Sequence, residues 1–342
     1  MKVLGKNPSG EHLKKIVESP NYKNGKFQNV EHTEVMAEVS FFQILREYIN
    51  KPASVKPSSV LPTEKTDLHK LDVSSPTVIW LGHSSIYLAY KNFRMLVDPV
   101  LSGHASPFTT FGKAFEGSDV YGVKDFPELD VLLITHDHYD HLDYKTVLQL
   151  IPKTKRIITA LGVGSHLRYW GIPGEMITEL DWWETATLPD FGRITAAPSR
   201  HFSGRSITRA KTLWASFVLN LFDQQIYLGG DSGYGSHFKS IGEKFSRFDF
   251  AMLDCGQYGK GWPSIHMIPE ETVRAATDIA AKVVLPAHWG KFVLSVHPWN
   301  EPVTRFMKAA ESAAFKTITP LIGQPAAYLQ PAKYSSWWNF EK

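Results

Sequence analysis

The sequence has little of three features that mark particular protein classes. Its 342 residues contain one cysteine, Cys255, which excludes an intramolecular disulfide framework. No apolar run approaches the roughly 18 residues of a membrane-spanning helix, and the first residues lack the apolar core of a secretory signal. The formal net charge of +3 gives no strong indication of a nucleic-acid partner. We therefore expect a cytoplasmic globular protein; peripheral contact with a membrane stays open, and the oligomeric state is not indicated.

The most informative segment that is present contains four metal-ligand side chains within six residues: His136, His138, Asp140 and His141. They follow an apolar run at 131–134, which predicts a buried strand. A lone histidine is usually a surface or core group, but this density at a strand end indicates a metal site. Imidazole and carboxylate suit zinc or a similar divalent ion, and no thiol is present. Alternating His136 and His138 lie on one side of an extended backbone, and a turn delivers Asp140 and His141, so two adjacent ions are possible.

The chain divides into a short N-terminal region and one large domain. Residues 1–30 are polar and show no periodicity, so we expect a partly extended arm. Apolar residues at steps of three and four predict a helix over 34–50, and a Pro- and Ser-rich linker follows. We therefore place an N-terminal arm, helix and linker at 1–75, and the main domain with a C-terminal extension at 76–342.

Within the main domain, strands come first in meander groups and later alternate with helices. Strands are predicted at 77–81, 85–90, 93–97, 131–135, 156–159, 193–197, 214–219, 225–228, 248–253 and 282–285. Helices are predicted at 145–150, 164–170, 237–245, 270–281 and 303–314. This order predicts layered sheets with helices outside them.

Three further candidate ligands follow predicted strands, where a stiff backbone fixes side-chain geometry. They are His201, Asp231 and His288. Each alone is weak evidence, because an Asp in a Gly-rich turn is more often an Asx-turn residue and a loop histidine is common. Several strand ends that each deliver a His or an Asp are together improbable by chance. We therefore predict that these residues complete the metal site.

This ligand order resembles the metallo-β-lactamase fold superfamily. Within it, the chain is similar to the branch of N-acyl-phosphatidylethanolamine-hydrolysing phospholipase D and its bacterial relatives. The segments that carry this narrower resemblance are 80–85, 98–100, 106–107, 135–143, 230–234, 265–270 and 288–290. The resemblance extends over about 77–302.

The resemblance implies an α+β fold, an αββα four-layer sandwich, with two zinc ions at one edge of the sheets; iron or manganese would also suit the ligands. It implies that His136, His138 and His201 hold the first ion. The second ion would be held by Asp140, His141 and His288, and Asp231 would bridge both. It also implies that His266 faces the substrate. Asp140 and His266 are the predicted catalytic residues.

The predicted function is hydrolysis of a small-molecule or lipid phosphodiester by a metal-bridging hydroxide. Hydrolysis of a carboxylic ester or lactone by the same site is an alternative that the sequence does not separate from the first. A diiron redox protein of this fold is disfavoured, because such relatives carry a Glu in place of His138 and a flavin domain. Retention of all seven ligands disfavours a non-catalytic metal-binding scaffold.

Five residues near the predicted ligands have expected roles of their own. His83 and Asp98 are expected to orient ligands through hydrogen bonds. Asp137 is expected to point away from the ions, since it alternates with its ligand neighbours. Arg205 and Lys291 have two open interpretations, pairing with a phosphate or lying solvated on the surface.

Overall fold

The structure, a computed structural model, describes residues 2–37, 46–47 and 49–340. The predicted helix over 34–50 falls mostly outside these residues. Two seven-stranded sheets form the centre of the fold. In chain order the strands are β1 (Tyr22–Lys23), β2 (Lys26–Phe27), β3 (Thr77–Trp80), β4 (Ile86–Tyr90), β5 (Phe93–Val97), β6 (Leu129–Ile134), β7 (Thr154–Ala160), β8 (Ile177–Leu180), β9 (Thr185–Leu188), β10 (Gly192–Ala197), β11 (Ser216–Leu221), β12 (Gln224–Leu228), β13 (Phe250–Asp254), β14 (Val283–Ala287), β15 (Lys316–Thr317) and β16 (Pro325–Ala327).

The two sheets have matching topologies. The first has the order β16-β3-β4-β5-β6-β7-β8, and the second has the order β15-β14-β13-β12-β11-β10-β9. In the first, β3, β4 and β5 are antiparallel neighbours, whereas β5 to β8 are parallel. In the second, β9 to β12 are antiparallel and β12 to β15 are parallel. The polar loops that follow β6, β10, β12 and β14 contain the predicted ligands.

The core follows from alternation along buried strands, whose successive side chains point to opposite faces. In β13, Phe250 and Met252 join a large cluster that includes residues of both sheets. Ala251 and Leu253 join a second cluster. Helices complete both clusters, so each sheet carries helices and the predicted αββα sandwich is confirmed. The α-helices described are α1 (Glu11–Val17), α2 (Tyr144–Leu150), α3 (Gly164–Tyr169), α4 (His237–Phe245), α5 (Pro269–Asp278) and α6 (Glu301–Ala309).

Several elements differ from the sequence predictions. The sheet-edge strands β8, β9, β15 and β16 were not predicted, because they are short and bury few apolar side chains; β9 alternates exposed Thr185 and Thr187 with Ala186 and Leu188. The N-terminal arm, predicted to be partly extended, contains α1 and the β1–β2 hairpin. Among the residues described, no helix combines the length and hydrophobicity needed to span a membrane.

Candidate metal centre

Two groups of ligand side chains meet where the loops after β6, β10, β12 and β14 converge. In each group, one ligand atom from every residue lies within 4.8 Å of the others. The first ligand set is His136, His138, His201 and Asp231. The second ligand set is His83, Asp140, His141 and His288. All seven predicted ligands are thus brought together, and His83 is added to them.

Asp231 lies between the two ligand sets and turns one carboxylate oxygen toward each. Its Oδ2 is 3.7 Å from His136 Nε2 and 3.6 Å from His201 Nε2. Its Oδ1 is 3.1 Å from both His141 Nε2 and His288 Nδ1. A carboxylate in this position can ligate two ions at once, which is the bridging role predicted for it.

The backbone around Asp231 allows this close approach. Gly230 has φ +58°, and a Cβ added there would lie 3.0 Å from Thr135 Cβ, in the loop that bears the first ligands. A side chain would therefore meet both conformational strain and steric conflict. The Gly-rich turn after β12 thus serves close packing of two ligand loops.

Unpaired buried atoms test whether the site fits a cation. His141 Nε2 and Asp231 Oδ1 are buried and make no hydrogen bond, although they lie 3.1 Å apart. Leaving such a polar atom without a partner typically costs about 1–3 kcal/mol. Both atoms face the space between the ligand sets, so the donor set fits a divalent cation held by imidazole and carboxylate.

The pKa shifts of most ligand side chains favour the protonation states that bind a cation, and His141 is an exception. Burial lowers the pKa of His136, His201 and His288 well below the ordinary value, because desolvation disfavours the imidazolium. Burial opposes ionisation of Asp231, but His141 and His288 outweigh it and hold the pKa well below the usual range. Burial also opposes the charge of His141, but the carboxylates around it, Asp231 first, raise its pKa well above the ordinary value. The carboxylates around His141 thus favour positive charge at this point of the site, which a divalent ion would also supply.

Asp98 and His83 hydrogen-bond predicted ligands, as expected, although His83 also lies within the second ligand set. Asp98 Oδ2 accepts a hydrogen bond of 2.8 Å from His141 Nδ1 and one of 2.6 Å from Thr135 Oγ1. His83 Nε2 lies 2.9 Å from Asp140 Oδ2. Such partners fix the orientation of a ligand and raise its affinity for metal.

Two histidines of the second ligand set have left-handed backbones, His83 with φ 54° and His288 with φ 67°. Their main chains are joined, because His288 N donates to His83 O at 2.9 Å. Ser84 Oγ lies 2.8 Å from His288 Nδ1. Left-handed non-glycine residues cost of order 1–3 kcal/mol and concentrate at functional sites, so the turn after β3 belongs to the site.

A cavity of about 240 Å³ opens onto the ligands. Its lining is Met36, His138, Asp140, His201, Phe202, Asp231, Gln257, Trp262, Ile265, His266, His288 and Leu294. Ligand side chains form one part of this surface, and apolar or aromatic side chains form most of the remainder. Five predicted ligands line the cavity: His138, Asp140, His201, Asp231 and His288.

His266, predicted to face the substrate, lies in this cavity and pairs with a carboxylate. Its Nδ1 is 2.8 Å from Asp254 Oδ2, and its ring stacks on that of His288 with centroids 4.8 Å apart. Burial raises the pKa of Asp254 to about 6, although His266 offsets part of the rise. Burial lowers the pKa of His266, but Asp254 outweighs this and raises it. Sequence patterns gave no sign of Asp254, which ends β13 and lies 12 residues before His266; the fold brings the two side chains together.

The interpretation of Arg205 and Lys291 as solvated surface groups is wrong, because both cations are buried. Arg205 is 3% exposed, and its Nη1 donates to Asp137 O at 2.7 Å and to Leu142 O at 2.8 Å. Lys291 is 1% exposed and pairs with Asp119 at 3.1 Å. Neither lines the cavity over the ligands.

Asp137 points away from the ligand sets, as expected. Its carboxylate accepts hydrogen bonds from Gly204 N at 2.7 Å and Thr212 Oγ1 at 2.9 Å, and it pairs with His166 at 3.1 Å. These contacts anchor the loop after β10 to the loop after β6. Asp137 therefore joins two ligand-bearing loops without facing an ion.

Comparisons with known proteins show the family to which the chain belongs. Residues 93–289 match the family model described as a β-lactamase superfamily domain. An uncharacterised protein of Mycobacterium tuberculosis is 37% identical over 328 residues, covering 94% of this chain and 88% of that protein. The N-acyl-phosphatidylethanolamine-hydrolyzing phospholipase D 1 of Caenorhabditis elegans is 30% identical over 272 residues, covering 74% and 75%. A metallo hydrolase from Ignicoccus hospitalis has a similar fold, with TM-score 0.54 and 20% identity over 74% of this chain and 97% of that one.

The fold and the two His/Asp ligand sets define a metal-dependent hydrolase of the metallo-β-lactamase type. The family is metal-dependent, and the two ligand sets are groups that could hold a divalent metal. The chain belongs to the β-lactamase superfamily, in the branch that includes N-acyl-phosphatidylethanolamine-hydrolysing phospholipase D.

Proposed function

We propose that the protein is a dinuclear zinc-dependent phosphodiesterase of the phospholipase D type, with a lipid phosphodiester as its substrate. The observation that carries this proposal is the position of Asp231, whose two carboxylate oxygens face two separate ligand sets. Sites with two neighbouring ions occur in phosphatases and nucleases, which act on phosphate esters.

The chain's own residues divide the work around the reacting phosphorus. Bound zinc ions would supply an activated water and positive charge for the phosphoryl oxygens. Asp231 fixes the two ligand sets relative to each other. Asp254 would accept a hydrogen bond from His266 Nδ1–H, so that Nε2 of the protonated ring is available to donate a hydrogen bond or a proton to the leaving oxygen. Asp140, which lines the cavity, is among the residues that would hold the second ion.

Two observations support a lipid substrate. The cavity wall includes Met36, Phe202, Trp262, Ile265 and Leu294, which can contact an apolar group beside the scissile bond. The relative from C. elegans is by its name a hydrolase of N-acyl-phosphatidylethanolamine. Together they favour a phosphodiester with an apolar substituent.

The proposal is tested by a substrate panel and a zinc count on the same samples. Wild-type protein should contain two zinc ions and hydrolyse bis-p-nitrophenyl phosphate and N-acyl-phosphatidylethanolamine faster than a lactone. His138→Ala should lose metal and hydrolysis, whereas His69→Ala, on an exposed residue, should lose neither. Faster hydrolysis of the lactone would replace this assignment by an ester hydrolase. Wild-type protein that takes up no metal would refute both.

A further inference from the structure

The N-terminal region contributes to the metal centre through the segment 26–37, here called the site-facing segment. Phe27 anchors its start, since the side chain is 2% exposed and its backbone N donates to Ala210 O at 2.9 Å. Its far end meets the loop that carries Trp262, because Ala37 N donates to Gly261 O at 2.8 Å. Met36 lines the cavity over the ligands. The segment therefore runs along the site from one wall to the other.

Within this segment, Asn29 binds both backbone polar groups of His201. Its Nδ2 donates to His201 O at 2.8 Å, and its Oδ1 accepts from His201 N at 3.1 Å. Oδ1 also accepts from Trp214 Nε1 at 3.0 Å. A primary amide offers a donor and an acceptor side by side, which matches the N–H and C=O of one residue. His201 is 1% exposed, so its backbone has no access to solvent in place of Asn29.

The ring of His201 is fixed from the opposite side. Its Nδ1 donates to Ile265 O at 2.9 Å, which leaves Nε2 facing the first ligand set. Nε2 is 3.2 Å from His138 Nδ1 and 3.6 Å from Asp231 Oδ2. With the backbone held by Asn29 and the ring held by Ile265, His201 has little freedom to leave this position.

We propose that Asn29 is a positioning residue that holds His201 in the first ligand set, so that the N-terminal region completes the metal centre. The inference rests on the proposed function, because it takes His201 to be a zinc ligand. Asn29 lies outside residues 93–289, which match the superfamily domain. The domain that bears the ligands would thus depend on a residue far from it in the chain.

The experiment compares zinc affinity in Asn29→Ala, Asn21→Ala and wild-type protein. Asn21 is a matched control, because it lies in the same region, is also half-buried and donates to Asp181 Oδ1 at 2.8 Å, away from the ligand sets. Zinc is counted by elemental analysis after dialysis against a fixed concentration of chelator. Asn29→Ala should bind one of its two zinc ions about 10–100-fold more weakly. Asn21→Ala should match wild type.

Hydrogen exchange of residues 199–203 in the metal-free proteins gives a second measurement. Loss of the Asn29 acceptor should speed exchange of the His201 amide in Asn29→Ala but not in Asn21→Ala. If Asn29→Ala does not fold, Asn29→Asp replaces it in the comparison, because it keeps the acceptor and removes the donor to His201 O. Asn29→Asp should also weaken the binding of one zinc ion.

Two results would separate the inference from the proposed function. If wild type binds two zinc ions and the Asn29 variants bind them equally well, the inference is wrong and the function stands. If wild type binds none, the proposed function fails; unchanged exchange at His201 would then show that Asn29 does not hold this residue either.

Discussion

Replacing Asp231 by Asn should remove most of the thermal stabilisation that zinc gives the protein. One carboxylate oxygen faces each ligand set, so a single substitution weakens both sites. At a free zinc concentration 100 times Kd, one site adds about 2.7 kcal/mol to the free energy of unfolding, and two sites add roughly 5 kcal/mol. An unfolding entropy of about 2.1 cal/mol/K per residue over 342 residues converts this into a rise in Tm of roughly 7 °C for wild type.

The assay is thermal unfolding with zinc and with chelator, followed by calorimetry. Asp231→Asn should show a zinc-dependent rise of less than about 2 °C, because neutral Asn is a poor ligand for either ion. Asp130→Asn is the control: Asp130 is 9% exposed and pairs with Lys155 at 2.9 Å, at the opposite end of β6 from the ligands. It should keep the full rise. A full rise in Asp231→Asn would refute the shared-carboxylate reasoning.

Three further predictions concern residues beside the ligands. Burial lowers the pKa of His237 to about 3 in the folded protein, whereas the unfolded chain takes up this proton below about pH 6.5, so the protein loses stability as the pH falls. Between pH 7 and pH 5, the free energy of unfolding measured in urea titrations should fall by about 2 kcal/mol less in His237→Gln than in wild type. Equal losses in the two proteins would contradict this. Asp254→Asn and His266→Ala should each lower kcat by about 10²–10⁴-fold for a phosphodiester with an alkyl leaving group, but much less for bis-p-nitrophenyl phosphate, whose phenolate leaves without a proton; equal losses would exclude proton donation. Met36→Trp narrows the cavity and should lower kcat/KM for a phospholipid more than for bis-p-nitrophenyl phosphate. If the ratio of the two kcat/KM values did not change, the lipid would bind outside this cavity.

The sequence predicted the central strands and the ligands because both leave local patterns. Apolar runs such as the one before His136 have the composition of buried strands, and each run ends in a polar loop. Parallel neighbours bring such loops to one edge of a sheet, so strand ends that carry a His or an Asp converge. Alternation along an extended backbone predicted that Asp137 points away from the ligands on either side of it. In the structure its carboxylate contacts Gly204 and Thr212 instead.

Other parts of the site could not be predicted, because they depend on contacts between distant segments. Asp254 belongs to an apolar strand and Asn29 to a polar arm. Neither residue stands at a sequence spacing that would predict its contact, with His266 and His201 respectively. The burial of Arg205 and Lys291 was missed for the same reason. The sequence does not show that Arg205 donates to backbone oxygens of a distant loop or that Lys291 pairs with the carboxylate of Asp119. The short edge strands gave weak signals because few of their side chains are buried.

Seven side chains are proposed to hold two ions that share Asp231. A crystal structure with anomalous scattering measured at the zinc edge would locate the ions themselves. We expect two peaks about 3.5–4 Å apart, one among His136, His138 and His201 and the other among Asp140, His141 and His288, with Asp231 between them. A single peak, or peaks away from these side chains in zinc-loaded crystals, would contradict it.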